Sequence, residues 1–199
     1  MNLARRVAAE AIGSALLLAA VVGSGIMGER LAGGNVALAL LANSLATGAA
    51  LVALIHAFGP VSGAHFNPVV TLAFATRNAL SWKEAGGYVF VQVAGAFAGV
   101  AVAHLMFGET VFSVSQYARS GPAQWLSEGV ATFGLLAIVL GCVRHRPAAV
   151  PYTVGAYITA AYWFTASTAF ANPAVTLARA VSDTFAGIRP MDAPGFVLA

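Results

Sequence analysis

Charge is scarce in this sequence. Asp, Glu, Lys and Arg make up 9% of its 199 residues, whereas about a quarter is usual for a soluble globular domain. The ten basic residues are scattered, without a basic run or interleaved aromatic residues, and this argues against a surface for nucleic acid. The composition therefore excludes an ordinary soluble domain and predicts no nucleic-acid partner.

The chain also has little of what catalysis and metal binding require. Its single cysteine, Cys142, excludes an internal disulfide bond. The four histidines lack the spacing of metal ligands, and no nucleophile and base form a recognisable pair. We therefore predict no enzymatic activity, no metal site and no cofactor.

Hydrophobic residues are what the sequence has instead, at 59% of the chain. They form long runs whose lengths suit membrane-spanning helices, which need about 20 residues. The 21 glycines suit close packing of helices inside a membrane. The runs lie at 11–28, 36–58, 85–107, 129–143 and 147–171. The sequence therefore predicts an integral membrane protein surrounded by a lipid bilayer.

Two nine-residue stretches of the chain are almost identical. Residues 67–75 read NPVVTLAFA and residues 172–180 read NPAVTLARA, so that seven of nine positions agree. Asn is a strong helix N-cap and Pro is favoured at the first helical position, so each stretch predicts the start of a helix. From Asn67 to Arg77 that helix is about 15 Å long, half of a ~30 Å hydrocarbon core. The boxes that open these half-helices are Asn67, Pro68 and Val69, and Asn172, Pro173 and Ala174.

The two stretches belong to an internal repeat. A shift of 105 residues superimposes them, and a weaker match at 118 residues places Glu10 on Glu128. Each half then holds a Glu-bearing span, a second span, a half-helix and a third span. An odd number of spans gives the halves opposite orientations in the membrane, which brings the half-helices together near the midplane. The predicted spans are 7–28, 36–58, 82–106, 124–142 and 150–166, with half-helices at 68–76 and 173–182.

We therefore predict one transmembrane domain, 1–199, of the all-α membrane class. Repeat 1 covers about 5–107 and repeat 2 about 122–199. The second repeat is short of its third span, because only the stub 194–199 remains for it. We expect a fragment that lacks about 20 residues of helix, and the alternative is a chain without a sixth span.

The paired Asn-Pro boxes, the segment SGAHFNPV at 62–69 and a Glu early in each half resemble the aquaporin, or major intrinsic protein, family. The resemblance implies six spans with two half-helices, here five complete spans and a stub of the sixth. It also implies a homotetramer with one pore in each protomer. It suggests that Glu10 and Glu128 support the pore loops by accepting hydrogen bonds from their N–H groups. For Glu10 the alternative is an interfacial position beside Arg5 and Arg6.

Physical reasoning gives the pore loops and boxes their roles. Irregular backbone at membrane depth survives only inside protein or beside water, so the loops 59–66 and 167–171 are expected to line a pore. Each half-helix start is equivalent to about +0.5 charge, and two facing starts repel cations. If Asn67 and Asn172 cap their helices with their amide oxygens, their NH2 groups donate into the pore. The carbonyls expected along the first loop are those of Gly63, Ala64, His65 and Phe66.

The outer filter departs from the family pattern. Typical members place Arg directly after Asn-Pro-Ala, but this chain has Val175 there. Arg179 follows one helical turn later, where it need not reach the constriction. Without that arginine we expect a wider, less polar filter than in strict water channels. The other filter positions, by spacing from the boxes, are Thr47, Ala169, and either Tyr162 or Ala160.

The sequence therefore predicts a passive channel for small uncharged solutes larger than water, such as glycerol-like polyols. Family branches without the filter arginine resemble metalloid channels, which suggests arsenite and methylated arsenicals as further solutes. A water-selective aquaporin is the alternative. Two other classes stay open: a secondary transporter with broken helices, which needs ionisable groups at the midplane, and a non-conducting fragment.

Basic residues also predict the orientation. With alternating spans, six of them fall on one side, which the positive-inside rule makes cytoplasmic. The first apolar run lacks an obvious cleavage site and is interpreted as a retained span. We therefore expect a multi-pass protein of the cell's inner (plasma) membrane with a cytoplasmic N-terminus. The six residues are Arg5, Arg6, Arg77, Lys83, Arg144 and Arg146.

Overall fold

Helices formed by the apolar runs make up most of the chain. The computed structural model describes all of residues 1–199 and contains no β-strand. A 3-10 turn at Pro147–Ala149 joins the fifth and sixth helices. The helices are α1 (Leu3–Leu31), α2 (Val36–Ser62), α3 (Pro68–Thr76), α4 (Trp82–Phe107), α5 (Pro122–His145), α6 (Val150–Phe164), α7 (Pro173–Arg179) and α8 (Ala193–Leu198).

Four of these helices, α1, α2, α4 and α5, are long and apolar enough to cross a membrane. The fifth predicted span, α6, has 15 residues, or about 22 Å of helix, which is less than a ~30 Å core. It is shorter than predicted because the backbone becomes extended at Thr165, where φ is −112° and ψ is 139°. The second half-helix, α7, ends at Arg179 instead of the predicted residue 182.

The long helices and α6 pack in the order α4, α1, α2, α6 and α5, each in contact with the next. Helix α1 contacts α4 and α2, α2 contacts α6, and the half-helices α3 and α7 both pack against α4. Gly95 and Gly99 make the α1–α4 contact close: an added Cβ at these positions would lie 2.3 Å from the Ala11 carbonyl oxygen and 2.2 Å from that of Ala15. Small residues at such a crossing are typical of membrane helices.

Large apolar side chains cover the outside of the bundle. Phe90 is 75% exposed and Phe133 is 77% exposed, each on a long helix. In water such a surface promotes aggregation, whereas lipid covers it favourably. The exposed surface and the four long helices together describe a multi-pass membrane protein.

The two ends of the bundle differ in what covers them. At the proximal end, α1, α4 and α6 begin and α2 and α5 finish. At the opposite, distal end, the linker 108–121 runs beside the segment 180–192. The Ser115 N–H donates to the Ala180 carbonyl over 3.0 Å, and the Arg189 N–H donates to the Tyr117 carbonyl over 2.8 Å. The distal end is therefore covered by two paired segments.

Asp192 ties these two segments together. Its carboxylate accepts from the Arg119 N–H over 2.8 Å and from the Arg189 Nε over 2.9 Å. Burial alone would raise the pKa of the Asp192 carboxyl, but the Arg189 hydrogen bond and the Arg119 N–H hold that pKa below its ordinary value. The carboxylate therefore stays ionised at neutral pH and keeps the linker in place.

Candidate functional site

A narrow cavity runs between the half-helices and the surrounding spans. The space open to water-sized solutes within it is about 100 Å³, well below the ~300–1,000 Å³ of a typical ligand pocket. We call this space the lumen. Apolar side chains form most of its wall, from Leu17, Val21, Leu51, Ile55, Val70, Phe74, Leu135, Val139, Val143, Val150, Val154 and Ile158. Such a space suits solutes in single file better than a bound ligand.

Both half-helices begin at the lumen. The Asn67 side-chain oxygen accepts from the Val69 N–H over 2.9 Å, which caps α3. The Asn172 side-chain oxygen accepts from the N–H of Ala174 over 3.0 Å and caps α7 in the same way. Both asparagines line the lumen. Two helix starts, with their positive dipole ends, therefore meet in one place.

The two boxes are also joined to each other. The Asn67 Nδ2 donates to the Ala171 carbonyl over 2.7 Å, and the Asn172 Nδ2 donates to the Phe66 carbonyl over 2.8 Å. From the sequence we expected the NH2 group of each asparagine to donate into the pore. In the structure each NH2 group donates one of its hydrogens to the opposite loop. An amide has two such hydrogens. One donor of each asparagine is therefore left for a passing oxygen.

The two loops ahead of the half-helices have the same backbone shape. Ala64 and Phe66 in the first loop, and Ala169 and Ala171 in the second, all have φ between 45° and 50°. These positions correspond at the 105-residue shift. Left-handed conformations at non-glycine residues cost about 1–3 kcal/mol each and persist only where surrounding contacts hold them. Each loop therefore needs a support.

One buried glutamate supports each loop. The Glu10 carboxylate accepts from the N–H groups of His65 and Phe66 over 3.0 and 2.7 Å. The Glu128 carboxylate accepts from those of Phe170 and Ala171 over 2.9 and 2.8 Å. Glu10 is 0% exposed and Glu128 1%. Glu10 therefore lies inside the protein and not at an interface beside Arg5 and Arg6.

Sequence reasoning missed two polar partners of Glu10. Ser62 donates its hydroxyl to this carboxylate over 2.6 Å, and Gln92 donates its side-chain Nε2 over 2.8 Å. A signal for the serine was present, because Ser62 and Ser167 correspond at the 105-residue shift. Gln92 gave a weaker signal as a lone amide inside an apolar span.

Several loop carbonyls have no donor within the protein. In the first loop no N–H or hydroxyl donates to the carbonyl of Gly63, Ala64 or His65, and all three residues line the lumen. The Phe66 carbonyl differs from the prediction because Asn172 already donates to it. A carbonyl has two lone pairs, so it can accept one more bond. A row of acceptors therefore follows the lumen wall.

The proposed filter residues lie beyond the boxes, toward the distal end. The Thr47 and Tyr162 hydroxyls are 3.2 Å apart and hydrogen-bonded. Val175 is 5% exposed and Ala169 3%, and all four residues line the lumen. Ala160, the alternative to Tyr162, is exposed on the outside of α6. The structure therefore brings Thr47, Tyr162, Ala169 and Val175 together.

Arg179 also lines the lumen, although its spacing from the second box did not require it to reach the constriction. It is 2% exposed, and its guanidinium carbon lies 3.4 Å from the centre of the Phe170 ring. Its Nε donates to the Ala186 carbonyl. No sequence signal showed this reach, because it depends on the fold of 180–192.

Two of the histidines, His56 and His65, lie toward the proximal end. The His65 Nδ1 is 3.1 Å from the Thr71 hydroxyl, and its ring centre is 4.7 Å from that of Phe74. A second cavity of about 400 Å³ contains His56 in its wall and shares Ile55, Gly63, Val143 and Val150 with the lumen. The lumen therefore opens into a wider vestibule at this end.

Comparisons with known proteins match this geometry. The family model described as major intrinsic protein matches residues 1–164. The aquaglyceroporin AqpS of Rhizobium meliloti (strain 1021) is 60% identical over 198 residues, which cover 100% of this chain and 84% of that protein. Aquaporin NIP1-3 of Oryza sativa subsp. japonica is 31% identical over 189 residues, which cover 91% of this chain and 65% of that protein.

A solved structure has the same fold. The X-ray structure of the aquaglyceroporin from Plasmodium falciparum superimposes with a TM-score of 0.73 and 21% sequence identity. The match covers 87% of this chain and 78% of that one. It supports the helical arrangement described above.

Proposed function

Because the chain belongs to the major intrinsic protein family, we propose that it forms a passive transmembrane channel for small uncharged solutes. Members of this family are channels and not enzymes. Glycerol-like polyols are the first solutes that we propose, since the 60% identical relative is named an aquaglyceroporin. Neutral metalloid species such as arsenite and methylated arsenicals are the second group, because Val175 stands where many members carry arginine.

One observation carries the proposal: the same lumen holds two helix starts and a row of free carbonyls. Positive helix starts disfavour cations, and unpaired carbonyls accept hydrogen bonds from hydroxyl groups. The spare N–H of Asn67 or Asn172 donates to a solute oxygen. A polyol offers both donors and acceptors and so replaces its water shell along such a wall.

The buried carboxylates favour a channel over an ion-coupled transporter. A transporter needs ionisable groups that bind and release ions near the midplane. Glu10 and Glu128 are instead occupied by two backbone N–H groups each. Neither lines the lumen. We therefore assign them to loop support.

Assembly and orientation are part of the proposal. We expect a homotetramer with one pore in each protomer, as the family resemblance implies. We expect the proximal end to be cytoplasmic, because the six basic residues at helix ends there satisfy the positive-inside rule. This orientation puts the N-terminus inside the cell and places the filter on the extracellular side of the two boxes. The expected location is the plasma membrane.

Stopped-flow measurements on proteoliposomes test the function. We expect glycerol and arsenite to enter faster than into protein-free liposomes, with rates that rise linearly with concentration. Val175→Trp is expected to block solute entry because the larger indole side chain fills the open space of the filter. Val130→Trp is the matched control, since Val130 is 49% exposed on the outer surface of α5. Water flux without glycerol or arsenite flux would support a water-selective aquaporin, and saturable, gradient-driven uptake would support a transporter.

A further inference from the structure

The filter lacks an arginine at position 175, but a guanidinium still reaches the lumen. Arg179 lies at the end of α7, one helical turn beyond Val175. It lines the same cavity as Thr47 and Tyr162. A charge from another position of the half-helix is therefore present where the sequence predicts an uncharged filter.

Two contacts fix this guanidinium. Its carbon lies 3.4 Å from the centre of the Phe170 ring, within the ~6 Å range of a cation–π interaction. The Nε donates to the Ala186 carbonyl, so the guanidinium is held from two sides. Phe170 is itself fixed, because its N–H donates to Glu128 over 2.9 Å. Arg179 is therefore oriented by the second pore loop and by the distal segment.

The remaining donors of Arg179 have no partner in the protein. Neither Nη group hydrogen-bonds to another residue, and neither is among the fully enclosed unpaired side-chain atoms, which belong to Ser14, Gln92 and Gln124. The open space that Arg179 contacts is the lumen. Its free N–H groups therefore face passing solutes.

Arg179 forms no ion pair, although the Glu128 carboxylate behind Phe170 is near enough to attract its charge. The three ion pairs of the protein are Arg6–Glu84, Arg30–Glu109 and Arg189–Asp192. A second cation lies nearby, because the Arg119 guanidinium carbon is 5.2 Å from the same Phe170 ring. Arg119 donates its Nε to the Gly187 carbonyl over 2.8 Å, which holds the residue next to Ala186 in place.

We propose that Arg179 supplies the fixed cation of the filter in place of the residue after the second box, and that Phe170 and Ala186 position it. This inference rests on the proposed channel function. In a narrow, poorly hydrated lumen a charge without an ion-pair partner acts strongly. It repels cations and donates hydrogen bonds to the oxygens of neutral solutes, while Arg119 positions the segment that binds it. The filter is therefore cation-excluding although position 175 is Val.

Urea and guanidinium ion form a matched pair of probes, because both are small and planar and only one is charged. In proteoliposomes the unchanged protein is expected to pass urea and to exclude guanidinium. Arg179→Met keeps the length of the side chain and removes its charge. We expect it to raise guanidinium entry about tenfold or more relative to urea. Arg179→Lys is expected to keep the exclusion.

Arg30→Met is the control, because Arg30 pairs with Glu109 on the exposed distal surface and does not line the lumen. An unchanged ratio of guanidinium to urea in folded Arg179→Met protein would overturn the proposal. Absence of urea, glycerol and arsenite entry in the unchanged protein would instead overturn the channel function itself. The two failures are therefore distinguishable.

A second measurement covers the case in which Arg179→Met does not fold. In a Cys142→Ser background, Arg179→Cys places a single thiol at the proposed filter. A membrane-impermeant thiol reagent is expected to stop urea entry through this variant and to leave Cys142→Ser alone unaffected. Urea entry that persists after complete labelling, or a thiol that does not react, would contradict the assignment.

Discussion

The side-chain amide of Asn67 donates a 2.7 Å hydrogen bond to the carbonyl of Ala171. The residues are 104 positions apart in the chain, and Asn172 returns an equivalent bond to Phe66. Each half-helix is thus fixed both by its own cap and by the opposite loop. Contacts from both repeats therefore determine where the two asparagines lie.

Replacing Asn67 with Asp tests the cross-loop bond. The carboxylate keeps an oxygen for the Val69 N–H but loses the donor to Ala171 and faces that carbonyl with a buried charge. We expect a loss of about 1–3 kcal/mol of stability and a large loss of glycerol entry. Asn78→Asp is the control in the turn after α3. Thermal denaturation of purified protein and stopped-flow entry measure both effects, and an unchanged melting temperature would contradict the expected role.

The loop-support glutamates make a second prediction. Glu128→Gln keeps the shape, but only one of its side-chain atoms accepts hydrogen bonds, so one of the two N–H groups of Phe170 and Ala171 loses its partner. A buried unpaired donor costs about 1–3 kcal/mol. We expect a lower melting temperature and reduced solute entry. Glu29→Gln, in the exposed last turn of α1, is the control, and equal effects at both positions would argue against loop support.

The sequence predicted what depends on local residues. The Asn-Pro boxes predicted both half-helix starts, because N-caps and first-turn prolines act within a few residues. Apolar runs predicted the long helices, since hydropathy alone selects the segments that cross a membrane. The expected family and fold are confirmed by the family match and the superimposed structure.

The remainder depends on contacts between distant residues. Gln92 binds Glu10 across 82 positions, and no spacing rule predicts that bond. Spacing from the boxes left both Tyr162 and Ala160 as candidates, whereas in the structure only Tyr162 lines the lumen. Arg179 enters the lumen because Phe170 and Ala186 hold it there, and neither contact follows from its place one turn after Val175.

A glycine of α1 makes room for the first pore loop. An added Cβ at Gly13 would lie 2.0 Å from the Phe66 ring. Phe66 is 2% exposed and has a left-handed backbone, so its ring has no free space to enter. We expect Gly13→Ala to destabilise the protein by about 1–3 kcal/mol and to reduce solute entry, as measured by thermal denaturation and stopped flow.

Gly86→Ala is the matched control for this change. Gly86 is also helical, but an added Cβ there meets nothing within 4 Å. Since Ala has a higher helix propensity than Gly, we expect an unchanged or slightly raised melting temperature and normal solute entry. If Gly13→Ala behaves in the same way, Phe66 does not need the space that the structure gives it.

The hydrogen bond between Thr47 and Tyr162 joins two sides of the filter over 3.2 Å. Thr47→Val and Tyr162→Phe each remove one hydroxyl and nearly keep the volume, so either change alone breaks the bond. Each leaves the other hydroxyl free to bind a passing solute. We therefore expect both single variants to change the ratio of glycerol to water entry, and the double variant to differ from the sum of the two changes. A double-mutant cycle on stopped-flow rates measures that difference. A bond within the filter couples the two hydroxyls, so their effects should not be additive. Strictly additive effects would show that the hydroxyls act on solutes independently and would contradict the prediction.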